Sequence, residues 1–286
     1  MTQTITLNNG VQMPLVGFGT YQIIDPDECA RSVAAAIEAG YRLIDTAQNY
    51  GNETDVGTGV RLSGLPRKEL FLTSKVWFRN HESGECRASV YRSMERLGVD
   101  YIDLMLIHWP FGNVYAAWRD LEKLYEEGVL RAIGISNFAP DRMIDILHFN
   151  KVTPAVNQVE THLFCQRQTE HEWMEKYKVA HQAYAPLGQN RINTMFELPA
   201  VQAAAAAHQK TPAQVALRFL VQQGIAVIPK SVHNQRIREN IDIFDFELTE
   251  EEMTALRRAD NAAPMIGTAE TPKRTESAMS WTSREH

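Results

Sequence analysis

One pattern constrains this chain more than any other: short apolar β-type runs alternate with amphipathic helical stretches along most of its length. The β-type runs are "VGFGTY", "YRLIDTA", "LFLTSKVW", "YIDLMLIHWP", "LRAIGISNF", "PAVNQVET", "VAHQAYAPL" and "IAVIPKS". A helical stretch follows each, with apolar residues three and four apart so that one face is buried. In "DPDECARSVAAAIEAG", Asp25 is placed to cap, Pro26 suits the first helical position and Glu28 completes a capping-box pattern. Ala30, Val33, Ala34 and Ile37 share a face, and Gly40 ends the helix. "YIDLMLIHWP" is apolar almost throughout, as a strand buried on both faces must be.

Eight strand–helix units over about 250 residues predict an α/β fold, a (β/α)8 barrel. Ahead of them, "ITLNNGVQM" predicts a hairpin with an Asn-Gly turn that closes the bottom of the barrel. Leu198 to Gly224 reads as a helical region with a capping pattern from Thr211 to Gln214. "NQRIRENIDIF" and "TEEEMTALRRAD" read as extra C-terminal helices, and the tail after Asp260 is polar and unpatterned. No linker or repeat interrupts the series, so residues 1–286 are expected to form a single barrel domain. The competing doubly wound sheet needs a glycine-rich phosphate loop after its first strand. "GFGTYQ" lacks the third glycine and the acidic residue at the right distance.

Composition removes several classes of function. A net charge of −6 argues against a nucleic-acid surface. No apolar run approaches a membrane span, and "MTQTITLNNG" carries no signal-peptide pattern. Three cysteines without a CxxC predict reduced thiols and a cytoplasmic protein, with Cys86 packed in a helical apolar stripe. "HEWME" at His171 lacks the second histidine of a zinc motif and no His/Cys cluster exists, so no metal is expected. His162 and His171 read as surface residues.

Barrel chemistry is built at the C-terminal ends of the strands. The second strand ends in Asp45 and leads to Tyr50; the third ends in Lys75 and Trp77; the fourth in His108 and Trp109. The fifth ends in Ser136 and Asn137, the sixth holds Asn157, Gln158 and Glu160, the seventh ends in Tyr184, and the eighth in Lys230 and Ser231. Each residue alone has a bland reading, as a solvated end, a cap or a core histidine. Their convergence on one rim argues for a site. Lys75 ends a strongly apolar run, where a lone ammonium is costly to desolvate, and Asp45 on the adjacent strand supplies a partner. Lys75 beside Tyr50 is expected to favour the phenolate and lower its pKa, making Tyr50 a general acid, with His108 bonding to a substrate oxygen or to the phenol. A proton donor tuned for a developing alkoxide needs a hydride from elsewhere, which implies a cofactor. Tyr21, Trp77 and Trp109 are expected to wall a pocket for small carbonyl substrates.

These stretches carry a resemblance. "GFGTY", "GYRLIDTAQNYGNE", "SKVW", "YIDLMLIHWP", "AIGISNF", "NQVE", "AYAPLG", "VIPKS" and "RIRENIDIFDFELTEEEM", in this order over nearly the whole chain, resemble the aldo-keto reductases. Among them the chain looks most like bacterial 2,5-diketo-D-gluconate reductases and related small aldehyde reductases. The resemblance implies a catalytic tetrad of Asp45, Tyr50, Lys75 and His108, and NADPH/NADP as cofactor. It implies that Ser136, Asn137 and Gln158 hold the nicotinamide carboxamide and that Tyr184 stacks on the ring, with Leu187 beside the cofactor. Lys230, Ser231 and Arg236 would contact the 2′-phosphate, and Glu239 and Asn240 the adenine. A small-molecule carbonyl partner follows, and with the charge and hydropathy above a monomer that binds neither nucleic acid nor membrane is expected. The alternative on the same fold is a cofactor-binding regulatory protein like the potassium-channel β subunits; the complete tetrad argues for an enzyme. Short-chain dehydrogenases are excluded because no Y-x-x-x-K occurs. One departure stands out: only "FGN" separates "HWP" from the next helix, which predicts an open pocket lacking part of its roof. Trp281 is the one aromatic of the tail.

Overall fold

The computed structural model describes residues 3–266 and 271–281. β1 (Thr4–Thr6) and β2 (Gln12–Pro14) form an antiparallel hairpin, and Gly10 takes φ 85° in its turn, where a side chain would be strained. The barrel strands follow: β3 (Gly17–Gly19), β4 (Leu43–Asp45), β5 (Phe71–Val76), β6 (Leu104–Ile107), β7 (Ile133–Ser136), β8 (Val156–Glu160), β9 (Ala180–Tyr184) and β10 (Ala226–Val227). Each pairs in parallel with the next in chain order. A parallel bridge between Val16 and Val227 closes the ring, with Val227 N donating to Leu15 O at 2.8 Å and Gly19 N to Pro229 O at 3.1 Å. β10 is shorter than "IAVIPKS" implies, because Pro229 has no N–H to offer a ladder.

Side chains alternate along each strand, and this positions the site. Leu43, Phe71, Leu104, Leu106, Val156, Ala180 and Ala226 fill the lower barrel over Leu7 and Met13 of the hairpin region. Two and four residues further along the same inward faces come Asp45, Lys75, His108, Gln158 and Gln182. The apolar floor therefore carries a polar layer at the opposite end. Outward residues such as Phe18, Ile44, Leu72, Met105, Ile133 and Val159 form a second core against the surrounding helices.

The first barrel helix, Pro26–Glu38, begins with Asp25 as its cap and Pro26 as its first residue, Glu28 N donating to Asp25 Oδ1 at 2.7 Å; no return bond from Glu28 completes a capping box among the described residues. The helical region Leu198–Gly224 consists of two helices, Pro199–His208 and Pro212–Val221. Pro212 cannot continue the preceding helix, and the two-armed Thr211–Gln214 capping box restarts it. Asn234–Ile241 and Glu250–Arg257 are the expected closing helices, and a third, Pro272–Met279, lies in the tail that showed no pattern. His162 is not a surface residue: it is fully buried, with Nε2 3.1 Å from Glu160 Oε1. His171 is half-buried, its Nδ1 3.1 Å from that of buried His181. Cys29, Cys86 and Cys165 are buried free thiols. Among the described residues no helix is long and apolar enough to cross a membrane.

Candidate active site

Lys75 is fully buried at the upper end of β5, where its ammonium cannot reach solvent. It donates to Asp45 Oδ1 at 2.5 Å and Thr46 O at 2.8 Å, and lies 3.4 Å from Tyr50 OH. Asp45 Oδ2 accepts from Gln158 Nε2 at 2.8 Å, so both carboxylate oxygens are engaged. A buried ion pair is tolerated where hydrogen bonds complete it, as here. Tyr50 reaches Lys75 from a single 3-10 turn, Gln48–Tyr50, after which Gly51 at φ 71° redirects the chain. The His108 ring lies 5.8 Å from that of Tyr50. The four expected residues thus converge across β4, β5 and the end of β6.

The charges balance differently from the expectation. Burial holds the Tyr50 phenol well above its ordinary value, with the nearby Asp45 carboxylate adding to the effect. The expected lowering by Lys75 is therefore corrected: Asp45 offsets the ammonium's pull, and the enclosed site disfavours a phenolate. Burial raises the Asp45 carboxyl against the attraction of Lys75, and lowers Lys75 against the attraction of Asp45. His108 is held well below the usual histidine range by burial, with Lys75 and His81 contributing. It is a neutral imidazole at pH 7, and its buried Nδ1 has no partner among the described residues.

Above this group opens a cavity of about 910 Å³. Tyr21, Trp77 and Trp109 line it, with Tyr50, His108, Asn137, Gln158, Tyr184, Leu187 and Lys230. The pocket does have a roof beyond the short "FGN" loop. The tail supplies it: Trp281 stacks on Trp77 at 6.3 Å and meets Trp109 edge-on at 5.2 Å. Arg274 lies 4.3 Å over the Trp281 ring and 5.2 Å from that of Trp109. Arg79 donates to Met279 O at 2.8 Å and Trp281 O at 3.1 Å, and Glu160 accepts from Met265 N at 2.5 Å and Ile266 N at 2.9 Å. Sequence reasoning placed Glu160 on the rim but missed that it holds the tail, and it missed Arg274 and Arg79 altogether. The lone tail tryptophan was the one available signal.

The residues expected around a cofactor divide into three groups. Gln158 uses both amide hydrogens on protein acceptors, and its oxygen accepts nothing among the described residues although the side chain lines the cavity. That free acceptor fits a carboxamide NH2. Ser136 and Asn137 are engaged with the protein: Ser136 Oγ donates to Gln158 O at 2.8 Å, Asn137 Nδ2 donates to Ser136 Oγ and His108 O, and Tyr184 OH donates to Asn137 Oδ1 at 2.7 Å. Lys230 and Arg236 are exposed and make no ion pair among the described residues, while Ser231 is buried beneath them. They flank the N-terminal end of the helix Asn234–Ile241, whose first N–H groups favour an anion. Glu239 accepts from Gln235 at 2.7 Å, and Asn240, in the same helix, is buried. Two free cations and open N–H groups fit a phosphate-bearing nucleotide.

Known proteins resemble this chain in sequence and fold. The aldo/keto reductase family model covers residues 15–261. The chain is 45% identical over 250 residues to a 9,11-endoperoxide prostaglandin H2 reductase of Trypanosoma cruzi, covering 87% of this chain and 88% of that one. It is 42% identical to a glyoxal reductase of Bacillus subtilis, covering 92% and 96%. An aldo-keto reductase from a Medee basin deep-sea metagenome superimposes with a TM-score of 0.91 at 38% identity, covering 94% and 99%. A Bombyx mori aldo-keto reductase in complex with NADP does so at 0.88 and 32% identity, covering 92% and 94%. The barrel, the buried Lys–Asp pair beneath a tyrosine and these matches together make the chain an enzyme of the aldo/keto reductase family.

Proposed function

We propose that this enzyme reduces small aldehydes, α-dicarbonyls or keto-sugar acids to alcohols with NADPH, and that Tyr50 is the proton donor. The observation that carries the reading is the position of Tyr50 OH, 3.4 Å from a buried Lys75 ammonium at the base of an aromatic-walled cavity. The nicotinamide, when bound, supplies the hydride. The chain's own residues do the rest. Neutral His108 positions the carbonyl oxygen, and the Tyr50 hydroxyl delivers a proton as that oxygen gains charge. A phenol held above its ordinary value keeps its proton at neutral pH, as a donor must. Lys75 stabilises the phenolate left behind, and Asp45 keeps Lys75 charged and oriented. The indoles of Trp77, Trp109 and Trp281 exclude water and limit substrate size.

On this reading Gln158, Asn137 and Ser136 hold the carboxamide, Tyr184 stacks on the ring with Leu187 beside it, and Glu239 and Asn240 meet the adenine. Lys230, Ser231 and Arg236 take the 2′-phosphate. The experiment is cofactor oxidation with NADPH and with NADH against methylglyoxal, an aromatic aldehyde, a keto-sugar acid and a ketosteroid. The proposal expects NADPH and the small substrates to be preferred. Higher kcat/KM for the steroid, or no turnover of any small carbonyl, would reject it.

A further inference from the structure

Gln182 lies in the barrel interior, fully buried, and directly opposite Gln158 in the β8–β9 register. Its Oε1 accepts from Gln158 Nε2 at 2.7 Å, while its own Nε2 faces Met13 Sδ on the hairpin at 3.8 Å. Gln158 Nε2 therefore has two acceptors, Asp45 Oδ2 and Gln182 Oε1, and an amide nitrogen has two hydrogens. This bookkeeping leaves one orientation for the Gln158 amide. Turning it over would set its oxygen against the Asp45 carboxylate and the Gln182 carbonyl, two acceptors facing a third. In the observed orientation the oxygen has no partner among the described residues, and the side chain lines the cavity.

We infer that Gln182 is a positioning residue: it fixes the Gln158 amide so that its oxygen is presented to the cofactor carboxamide. The inference rests on the proposed cofactor reading. Asp45 alone needs only one of the two hydrogens, so without Gln182 the second N–H is buried and unpaired. The amide relieves this by rotating that N–H toward the cavity, which withdraws the oxygen. The effect is then specific to the one cofactor group that donates to the oxygen. Gln182 also links the hairpin to the site, since Met13 packs beneath it.

The test is equilibrium binding, followed by quenching of protein fluorescence. NADP is compared with its acetylpyridine analogue, in which a methyl group replaces the carboxamide NH2. Gln182→Leu is expected to weaken NADP about tenfold and leave the analogue within about twofold of wild type. Gln182→Glu, neutral when buried here, keeps an acceptor oxygen and is expected to bind NADP like wild type. Equal weakening of both ligands in Gln182→Leu would show a merely structural role and overturn the inference, as would unchanged NADP binding. Loss of binding in Gln182→Glu as severe as in Gln182→Leu would overturn it too. If the wild type itself bound no NADP, the proposed function would fall first, a result distinct from any of these.

Discussion

Replacing Lys75 by methionine isolates the energetics of the site. The side chain that is lost is fully buried, donates to Asp45 Oδ1 at 2.5 Å and Thr46 O at 2.8 Å, and lies 3.4 Å from Tyr50 OH. Asp45 keeps only Gln158, and two outcomes compete. Leaving the carboxylate charged and unpaired costs about 3–5 kcal/mol. Protonating it instead costs about 1.4 kcal/mol for each pH unit above the ordinary aspartate value of 3.8. Near pH 8 protonation would cost about 6 kcal/mol, so the unpaired charge prevails and the deficit is about 3–5 kcal/mol. Near pH 5.5 protonation costs about 2 kcal/mol and prevails. The sign follows from a folded-state value raised above the unfolded one: the variant's relative stability is present at low pH and is lost as pH rises through that value. Urea unfolding of wild type and Lys75→Met at both pH values measures the deficit. Adding Asp45→Asn should remove its pH dependence. An equal deficit at the two pH values, or no change on adding Asp45→Asn, would refute the argument that the ammonium's main structural role is to neutralise Asp45.

The remaining expectations concern the acid, the cofactor and the roof. Difference absorbance of wild type minus Tyr50→Phe should show this phenolate only above the ordinary value of 10.0, because burial opposes ionisation; a phenolate signal near neutrality would contradict it. Arg236→Ala should weaken NADPH about tenfold to a hundredfold and barely change NADH, read as Kd for each; equal losses would mean that the guanidinium does not read the 2′-phosphate. Arg79→Ala, which frees Met279 O and Trp281 O, should raise KM for small aldehydes several-fold with NADPH affinity unchanged, whereas unchanged KM would remove the tail from the pocket.

The barrel was legible because its strands are buried on both faces and alternate with amphipathic helices, and period-two alternation then places Asp45, Lys75 and His108 inward together. The tail was not legible. Its helix Pro272–Met279 buries Ala278 alone among its side chains, so it carries no apolar stripe to read. It is held instead by Arg79 donating to two carbonyls and by Glu160 accepting from two backbone N–H groups, contacts that leave no local trace in the tail. The Tyr50 phenol misled for a related reason. Sequence places Lys75 near it, but the opposing effects of burial and Asp45 depend on depth in the barrel. Gln182 likewise reads as one polar residue in a strand until its register opposite Gln158 is known.

The central claim is that Tyr50 gives up the proton while other residues hold the cofactor. The most direct measurement pairs NADPH binding with single-turnover reduction of methylglyoxal in wild type and Tyr50→Phe. The account predicts NADPH Kd within about twofold of wild type and a rate lower by about 10²–10⁴-fold. A Tyr50→Phe enzyme that binds NADPH normally and reduces the aldehyde at the wild-type rate would contradict it.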